Sequence, residues 1–379
     1  MITILILGGG LQALSTAYSL KQKKHRVVCI AHEKSLRYFQ YIDKYIDTSF
    51  TDCSFSPFIS KILASECIDV IIPMSDKMAR LLSLHKTEIE QSTHAKCAVP
   101  TFQTFEQGSD KALLMHFLEE NGFHHPKTRD ISSNNTDTAA SYVGFPALIK
   151  PNHSVGARGI TLVHNQIELQ KKLPAIKKQY GECTLQEYID SGTRPYYNVM
   201  LYRNKDGEII AHTIIEILRF YPIKGGSSSY CRTIEEPNLL LECSQVLSAL
   251  NWIGMADFDV LKNDKGEYKI IELNPRVPAS LRAADIAGVN FPSIITNDLM
   301  DIPQESFTYS TNKYLRFFGL DIMWFLHSPQ RFSFRPSWWC SIGRNTYFQD
   351  IYASAPSTWF AWLIEGIQKM IARTKSHQL

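Results

Sequence analysis

Apolar and polar residues alternate along two neighbouring segments in the second half of the chain, at 256–261 and 268–273. The residues between them, 263–266, are Asn, Asp, Lys and Gly. A period of two is typical of β-strands, and such a connecting sequence favours a tight turn. The pattern therefore predicts a β-hairpin. If the turn lies at its centre, Asp257 falls opposite Glu272.

Side chains on a strand alternate between two faces, so one face of this hairpin would carry four oxygen-bearing groups: Asp257, Asp259, Glu272 and Asn274. Like charges directly opposite each other destabilise a hairpin, and a divalent cation would remove that conflict. Carboxylate and amide oxygens suit Mg²⁺ or Mn²⁺ bound together with phosphates. Arg276 follows, where its guanidinium could bind a phosphate oxygen. A solvated polar face of an ordinary hairpin is the alternative.

The chain begins with an alternation of apolar runs and turns. Residues 2–7 form a continuous apolar run that predicts a buried strand, and residues 8–10, all glycine, predict a turn. The apolar spacing of residues 11–23 predicts a helix, and residues 27–30 predict a second strand. This βαβ order is typical of a doubly wound parallel sheet.

The same glycines fit a dinucleotide-binding pattern. Gly8, Gly10 and Ala13 satisfy G-x-G-x-x-A, and Glu33 follows about 20 residues later, where such proteins place an acid on the ribose. A Rossmann-type oxidoreductase that uses NAD(P) or FAD is therefore one alternative, and a tight turn without a ligand is the other. At the end of a further predicted strand, Asp76 either caps the next helix or contacts a substrate.

A second set of features follows the predicted parallel sheet. Lys111 opens a predicted helix, and residues 145–151 predict a strand that carries Lys150 near its end. The next residues, 152–159, include several Gly, Ser and Ala, whose small side chains let backbone amides approach phosphate oxygens. Arg158 would add positive charge. The Walker sequence G-x-x-x-x-G-K-[ST] does not occur in the chain.

An acid on one strand, then Glu-x-Asn-Pro-Arg on the next, resembles the magnesium site of the ATP-grasp superfamily. The lysine and glycine pattern upstream is similar to its ATP clamp, and the resemblance covers roughly residues 1–310. It implies a carbamoyl-phosphate-synthase-like ligase that uses ATP and Mg²⁺ (or Mn²⁺). Such a ligase joins a carboxylate, expected to be amino-acid-like, to an amine through an acyl phosphate, with release of ADP and phosphate.

The resemblance also implies a set of nucleotide-binding residues, in chain order Lys111, Lys150, Ser154, Gly156, Gly159, Glu187, Tyr188, Ile189 and Asp190. The first five would contact phosphates, and the next three would bind adenine through main-chain hydrogen bonds. Asp190 would replace the glutamate that binds ribose in the family, because this chain has Tyr196 in that place.

Catalytic and metal-binding roles follow from the same resemblance, for Lys150, Arg219, Arg276, Arg282, Asp257, Glu272 and Asn274. The last three would hold the metal, and Arg276 would stabilise the transferring phosphoryl group. Arg219 or Lys224, in a basic Gly/Ser-rich loop, would bind the substrate carboxylate, and Arg282 would bind the carboxylate or the acyl phosphate. A solvated loop and simple helix capping are the respective alternatives.

The predicted fold class therefore combines α/β and α+β architecture. We expect four regions: a Rossmann-like domain at 1–110, a small lid subdomain at 111–195, an antiparallel-sheet catalytic subdomain at 196–310, and a Trp-rich helical appendage at 311–379. Five of the six tryptophans lie in this last region, interspersed with arginines. Their rings are expected to pack on the catalytic subdomain or on a second subunit, and contact with a membrane interface is the alternative.

Composition excludes several other classes of function. The net charge of +3 is too small to indicate a nucleic-acid-binding protein. The eight cysteines form no C-x-x-C pair, which fits a reducing cytoplasm, and no apolar run reaches the ~18 residues of a membrane span. The expected partners are a small-molecule carboxylate and an amine, and a homodimer stays open. A non-catalytic nucleotide-binding protein is a further alternative to the ligase.

Overall fold

The structure is a computed structural model of the 379-residue chain. It describes residues 1–48, 52–152, 159–190, 195–223, 226–339, 343, 345–361 and 364–365. Three sheets dominate these residues, and each has a different strand arrangement.

The first sheet is parallel, with five strands in the order β3-β2-β1-β4-β5. Its strands are β1 Thr3–Leu7, β2 Arg26–Ala31, β3 Lys44–Asp47, β4 Val70–Pro73 and β5 Lys96–Cys97. The helices are α1 Leu11–Gln22, α2 Asp52–Glu66, α3 Asp76–Leu84, α4 Lys86–Ser92 and α5 Phe102–Ser109. The central strand β1 is buried throughout, as its unbroken apolar sequence predicts.

The second sheet has four strands in the order β6-β9-β7-β8, and all of its pairings are antiparallel. Its strands are β6 Thr128–Ile131, β7 Ala147–Pro151, β8 Thr161–Val163 and β9 Cys183–Glu187. Helix α6, Lys111–Glu120, leads into this sheet, and α7 Thr136–Val143 and α8 Gln166–Tyr180 pack on it. The side chains of α7 and α8 share a small apolar core with those of β7 and β9.

The third sheet has seven strands in the order β14-β13-β10-β11-β12-β15-β16. Its strands are β10 Tyr196–Arg203, β11 Ile209–Tyr221, β12 Ser227–Ile234, β13 Gly254–Lys262, β14 Tyr268–Asn274, β15 Tyr314–Arg316 and β16 Thr346–Phe348. The helices of this region are α9 Pro237–Ala249, α10 Leu281–Ile286, α11 Phe291–Leu299 and α12 Phe318–His327. Helix α9 covers one face around the buried Trp252.

The carboxy-terminal region, which we predicted as a Trp-rich helical appendage, contains two strands as well as a helix. Strands β15 and β16 extend the seven-stranded sheet, so the predicted boundary at residue 310 cuts through one sheet. Beyond it, the ring of Tyr352 contacts the rings of Tyr18 and Phe39 in the parallel-sheet region. The Tyr352 hydroxyl also lies 3.1 Å from Ser15 Oγ. The tail thus packs back onto the amino-terminal region, and both share one apolar core.

The predicted hairpin is present as β13 and β14, but its register differs from the prediction. Asp257 lies opposite Asn274, and Asp259, not Asp257, lies opposite Glu272. Part of the shift comes from the turn, where the amide of Asn263 donates to the carbonyl of Glu267. The rest comes from a β-bulge, which changes the register between Asp259 and Val260.

Candidate active site

The polar face of the β13–β14 hairpin holds the buried carboxylate of Asp257 and the half-buried carboxylate of Asp259. Burial and the charge of Asp259 raise the pKa of Asp257 well above its usual range. Burial and the charge of Glu272 raise the pKa of Asp259 to about 7. Among the described residues, no group hydrogen-bonds the buried Oδ1 of Asp257. Such a crowded set of carboxylates with an unpartnered oxygen would be stabilised by a cation.

Neighbouring strand β10 supplies polar support for Asp259 that sequence reasoning missed. The amide of Asn198 donates to Asp259 Oδ1, and the Tyr196 hydroxyl also hydrogen-bonds this carboxylate. Burial and the charge of Asp259 raise the pKa of Tyr196 well above its usual range. Tyr196, which we expected in place of a ribose-binding glutamate, thus hydrogen-bonds a carboxylate of the hairpin. That expected replacement was the only feature of the sequence that drew attention to Tyr196.

Two predicted phosphate-binding lysines face the same hairpin. Lys111 Nζ lies 2.8 Å from Glu272 Oε1, and Lys150 Nζ donates to Gln186 Oε1 at 2.7 Å. Both lysines are buried. Burial lowers the pKa of Lys150 to about 8, and the charge of Glu272 offsets part of this effect. For Lys111, the attraction of Glu272 outweighs burial and raises the pKa.

The elements that carry these lysines explain their positions. Asp110 caps α6 by accepting hydrogen bonds from the amides of Ala112 and Leu113, which fixes Lys111 at the start of the helix. Lys150 lies on β7 opposite Thr184 of the neighbouring strand β9, and Gln186, two residues further along β9, accepts the hydrogen bond from its ammonium group. The buried Gln186 also donates to Thr128 Oγ1 at 3.0 Å. Gln186 is therefore a candidate site residue that the sequence analysis did not include.

Residues 187–190 comprise the last residue of β9, an inner strand of the four-stranded sheet, and the three residues that follow it. The amide of Glu187 donates to Lys127 O at 2.8 Å, and that of Tyr188 donates to Pro146 O at 3.2 Å. Both amides are therefore used within the sheet. Within the described part of the chain, no backbone acceptor pairs with the amide of Ile189. The Tyr188 hydroxyl donates to Asp190 Oδ1 at 3.3 Å, which holds that carboxylate beside the strand end.

Arg276 lies between the hairpin and the parallel sheet. Its Nε donates to Asp76 Oδ1 at 3.0 Å, and its Nη2 donates to Asn274 Oδ1 at 3.1 Å. The prediction that Asp76 caps the following helix is wrong, because Ser75 accepts the capping hydrogen bond from the Met78 amide. The carboxylate of Asp76 instead orients the guanidinium of Arg276.

Two other predicted arginines are occupied elsewhere. The Arg219 side chain, predicted to bind a substrate carboxylate, is fully buried and paired with Asp321 at 2.9 Å. The physical reason is that Asp321, on α12, needs a buried cationic partner. The Arg282 guanidinium donates to Ile351 O at 2.9 Å and lies 3.8 Å from the ring centre of Tyr352. It is therefore engaged by the carboxy-terminal segment.

Several predicted binding residues lie outside the described residues: Ser154, Gly156, Arg158 and Lys224. Gly159, at the end of the glycine-rich segment, is described and has a φ of +76°. A Cβ at this position would lie 2.8 Å from Pro151 and Tyr180, so a close approach to both side chains requires glycine here.

The glycine turn after β1 borders a cavity of about 340 Å³. Glu33 lies close to this turn, because a Cβ on Gly9 would clash with its carboxylate. Ser75 and Lys77, which flank Asp76, also line the cavity. The cavity thus lies next to the residue that orients Arg276.

The described residues form neither a preformed metal cluster nor a membrane-spanning helix. No three His, Cys, Asp or Glu side chains among them are close enough to enclose a metal ion. A cation at the hairpin would therefore take part of its coordination from a bound ligand. Of the helices in the described ranges, none is long and apolar enough to cross a bilayer.

Comparison with known proteins agrees with this geometry. Residues 108–280 match the family model of the ATP-grasp domain. Over 218 residues, the chain is 27% identical to the carbamoyl phosphate synthase large chain of Saccharolobus solfataricus. That match covers 54% of this chain and 20% of the relative, so the chain spans about a fifth of the length of the curated relatives that it matches.

Solved structures are similar over most of the chain. The biotin carboxylase domain of Hydrogenobacter thermophilus 2-oxoglutarate carboxylase, solved with MgADP and bicarbonate, has a TM-score of 0.70 at 16% identity and covers 82% of this chain and 73% of its own. N5-carboxyaminoimidazole ribonucleotide synthetase from Thermotoga maritima has a TM-score of 0.60 at 23% identity and covers 81% and 77%. These likenesses confirm the predicted fold class, and the comparisons give no support to the oxidoreductase alternative.

Proposed function

We propose, from the premise that residues 108–280 form an ATP-grasp domain, that this protein is an ATP-dependent carboxylate–amine ligase. The γ-phosphoryl group of ATP would pass to a carboxylate oxygen, which gives ADP and an acyl phosphate. The amine would then attack the acyl carbon, and inorganic phosphate would leave as the C–N bond forms. Expected substrates are a small carboxylate, either bicarbonate or amino-acid-like, and a small amine.

The observation that carries the proposal is the convergence of opposite charges from two sheets and one helix. Glu272 on β14, Lys111 on α6 and Lys150 on β7 come together although they are far apart in sequence. Burial alone would raise the pKa of Glu272, but the nearby charge of Lys111 outweighs burial and lowers it. Buried lysines beside closely spaced carboxylates suit a ligand with both phosphates and metal ions.

The residues present fit a divalent cation. Asp257 has a buried oxygen that no described group hydrogen-bonds, and the other ligand candidates offer only hard oxygens. Asp257, Glu272 and Asn274 would hold Mg²⁺ or Mn²⁺. Asp259 lies opposite Glu272 on the same face of the hairpin. The cation would offset negative charge on the nucleotide phosphates.

The cationic side chains of the protein would supply the remaining positive charge around the phosphates. Lys111 and Lys150 would bind phosphate oxygens, and Arg276, held by Asp76, would donate to the transferring phosphoryl group. Such catalysis depends mainly on positioning and charge, and it requires no side-chain nucleophile. Ile189 would offer its amide, which no backbone carbonyl of the described residues accepts, to the adenine ring. We expect one of the small substrates to enter through the cavity beside Ser75 and Lys77.

The test is ADP release from MgATP, measured across a matrix of carboxylates and amines that includes bicarbonate, with mass spectrometry on each positive well. The ligase predicts ADP and a condensed product where the correct carboxylate and amine are paired. ADP release with a carboxylate alone would identify that carboxylate and show that the acyl phosphate forms before the amine is added. Absence of ADP in every well, with nicotinamide or flavin binding instead, would contradict the proposal.

Two Glu→Gln variants in the same hairpin test the assignment of Glu272 as a metal-binding residue. Glu272→Gln should lower ADP release at least about a hundredfold, because it removes a carboxylate that would hold the cation at the nucleotide phosphates. Glu267→Gln is the control, because this exposed glutamate in the same hairpin pairs only with nearby polar groups at the turn. Equal activity in the two variants would contradict the assignment of Glu272.

A further inference from the structure

Helix α12 presents aromatic side chains to solvent while its inner face is fixed to the large sheet. Asp321 on the inner face binds Arg219 and Arg316, and Trp324 is buried beside them. Trp338, after the helix, donates its indole N–H to Asp321 O at 3.1 Å. The segment is therefore anchored by a buried ionic cluster, and its outward residues are held in place.

Five side chains form what we term the aromatic patch: Phe325, Leu326, Phe332, Trp338 and Trp339. The ring of Phe325 lies 5.7 Å from Phe332, 4.7 Å from Trp338 and 5.5 Å from Trp339, between ring centres. Leu326, Phe332 and Trp339 are 61%, 70% and 63% exposed. Contiguous large apolar groups with such exposure mark an interaction surface.

The chain segment that carries the patch has basic residues and no acidic ones between its two ends. No acidic residue occurs between Asp321 and Asp350, whereas the same stretch contains Arg331, Arg335 and Arg344. Arg335 is exposed, and the guanidinium of Arg331 lies 5.3 Å from the ring centre of Phe332. An aromatic surface with Arg331 and Arg335 beside it is complementary to a surface whose interior is apolar and whose outer layer is anionic.

We propose that the aromatic patch binds the surface of a membrane rich in anionic phospholipids. Trp and Phe rings favour the level of the lipid headgroups, where an amphipathic ring is half in hydrocarbon and half in water. Arginines at the rim bind lipid phosphates while their stems stay on the apolar surface. The protein would lie on the membrane without crossing it, and the inference is independent of the ligase activity.

The test uses the full-length protein and large unilamellar vesicles in a sedimentation assay. We expect the protein to bind vesicles of phosphatidylcholine containing about a third phosphatidylglycerol, and to bind pure phosphatidylcholine at least tenfold more weakly. Phe332→Ser/Trp339→Ser should reduce binding to the anionic vesicles at least about tenfold. The matched control, Ile167→Ser/Leu241→Ser, changes two exposed apolar residues elsewhere and should bind like the unchanged protein.

A second variant separates charge from apolar packing. Arg331→Gln/Arg335→Gln should weaken binding to the anionic vesicles roughly fivefold for each charge removed. Equal binding by all variants, or equal binding to neutral and anionic vesicles, would overturn the proposal. So would a dimer of the unchanged protein that dissociates in Phe332→Ser/Trp339→Ser while no vesicle binding occurs, because a second copy would then cover the patch.

Discussion

The carboxylate of Asp76 accepts a hydrogen bond from Arg276, 200 residues later in the chain, at a distance of 3.0 Å. The contact joins the end of the parallel sheet to the residue that follows the metal hairpin. Both side chains are partly shielded from solvent, and Arg276 also donates to Asn274. A guanidinium held from two sides has its orientation fixed before a ligand binds, which reduces the cost of positioning it.

Asp76→Asn should therefore impair catalysis more than nucleotide binding. We expect the variant to lower the rate of ADP release about ten- to a hundredfold, since a displacement of about 1 Å at a reacting group can have that effect. The measurement is kcat with the substrate pair that the screen identifies, alongside the Kd for MgATP. Asp130→Asn, which changes an exposed acid paired with His116, is the control. A similar rate in both variants would contradict a positioning role.

The hairpin shows what the sequence could and could not predict. Its four polar side chains share one face as expected, because two one-residue offsets, from the turn and from the bulge, leave the alternation unchanged. The register itself was not predictable, because neither the length of the turn nor a bulge follows from a strand's apolar pattern. The pairing of Asp259 with Glu272 was thus visible only in three dimensions.

Arg219 shows the opposite outcome. Its neighbours in sequence, a basic loop with glycines and serines, indicated an anion-binding site. Its partner Asp321 is 102 residues away, on a helix that the sequence pattern gave no reason to place there. Long-range ionic pairs such as this one, and the Asp76–Arg276 contact, depend on how the sheets pack. Local patterns predict the elements well and such contacts poorly.

The pKa of Lys150 predicts a pH dependence of ATP binding. A lysine with a pKa of about 8 is cationic below pH 8 and loses its charge above it, so affinity for phosphates should fall as the pH rises from 7 to 9. Lys150→Arg stays charged over this range, and its affinity should change less. The Kd for MgATP at three pH values is the measurement. Identical pH dependence in both proteins would exclude Lys150 as the titrating group.

Removing charge from the hairpin should stabilise the protein when metal is absent. The raised pKa of Asp259, about 7 against an ordinary 3.8, means that its ionised form destabilises the folded state, increasingly as the pH rises toward 7. In EDTA at pH 8, Asp259→Asn should raise Tm by about 2–4 °C. Addition of Mg²⁺ should raise Tm of the unchanged protein more than that of the variant.

Asp130→Asn serves as the control for this comparison, because Asp130 is an exposed acid paired with His116. Its Tm should match that of the unchanged protein in EDTA and respond equally to Mg²⁺. A fall in Tm for Asp259→Asn in EDTA would indicate that Asp259 is stabilised by its hydrogen bonds with Asn198 and Tyr196 more than it is destabilised by Glu272.

The ionic cluster under α12 should matter for stability and not for catalysis. Asp321→Asn leaves Arg219 and Arg316 buried without a carboxylate, and removing one partner of a buried ion pair costs about 3–5 kcal/mol. Glu305→Gln, which removes an exposed pair with Lys23, should change the free energy of unfolding by less than about 1 kcal/mol. Denaturant unfolding measures both variants. At denaturant concentrations below its unfolding transition, Asp321→Asn should have the same KM for the carboxylate as the unchanged protein. A raised KM with unchanged stability would instead indicate that Arg219 binds the substrate.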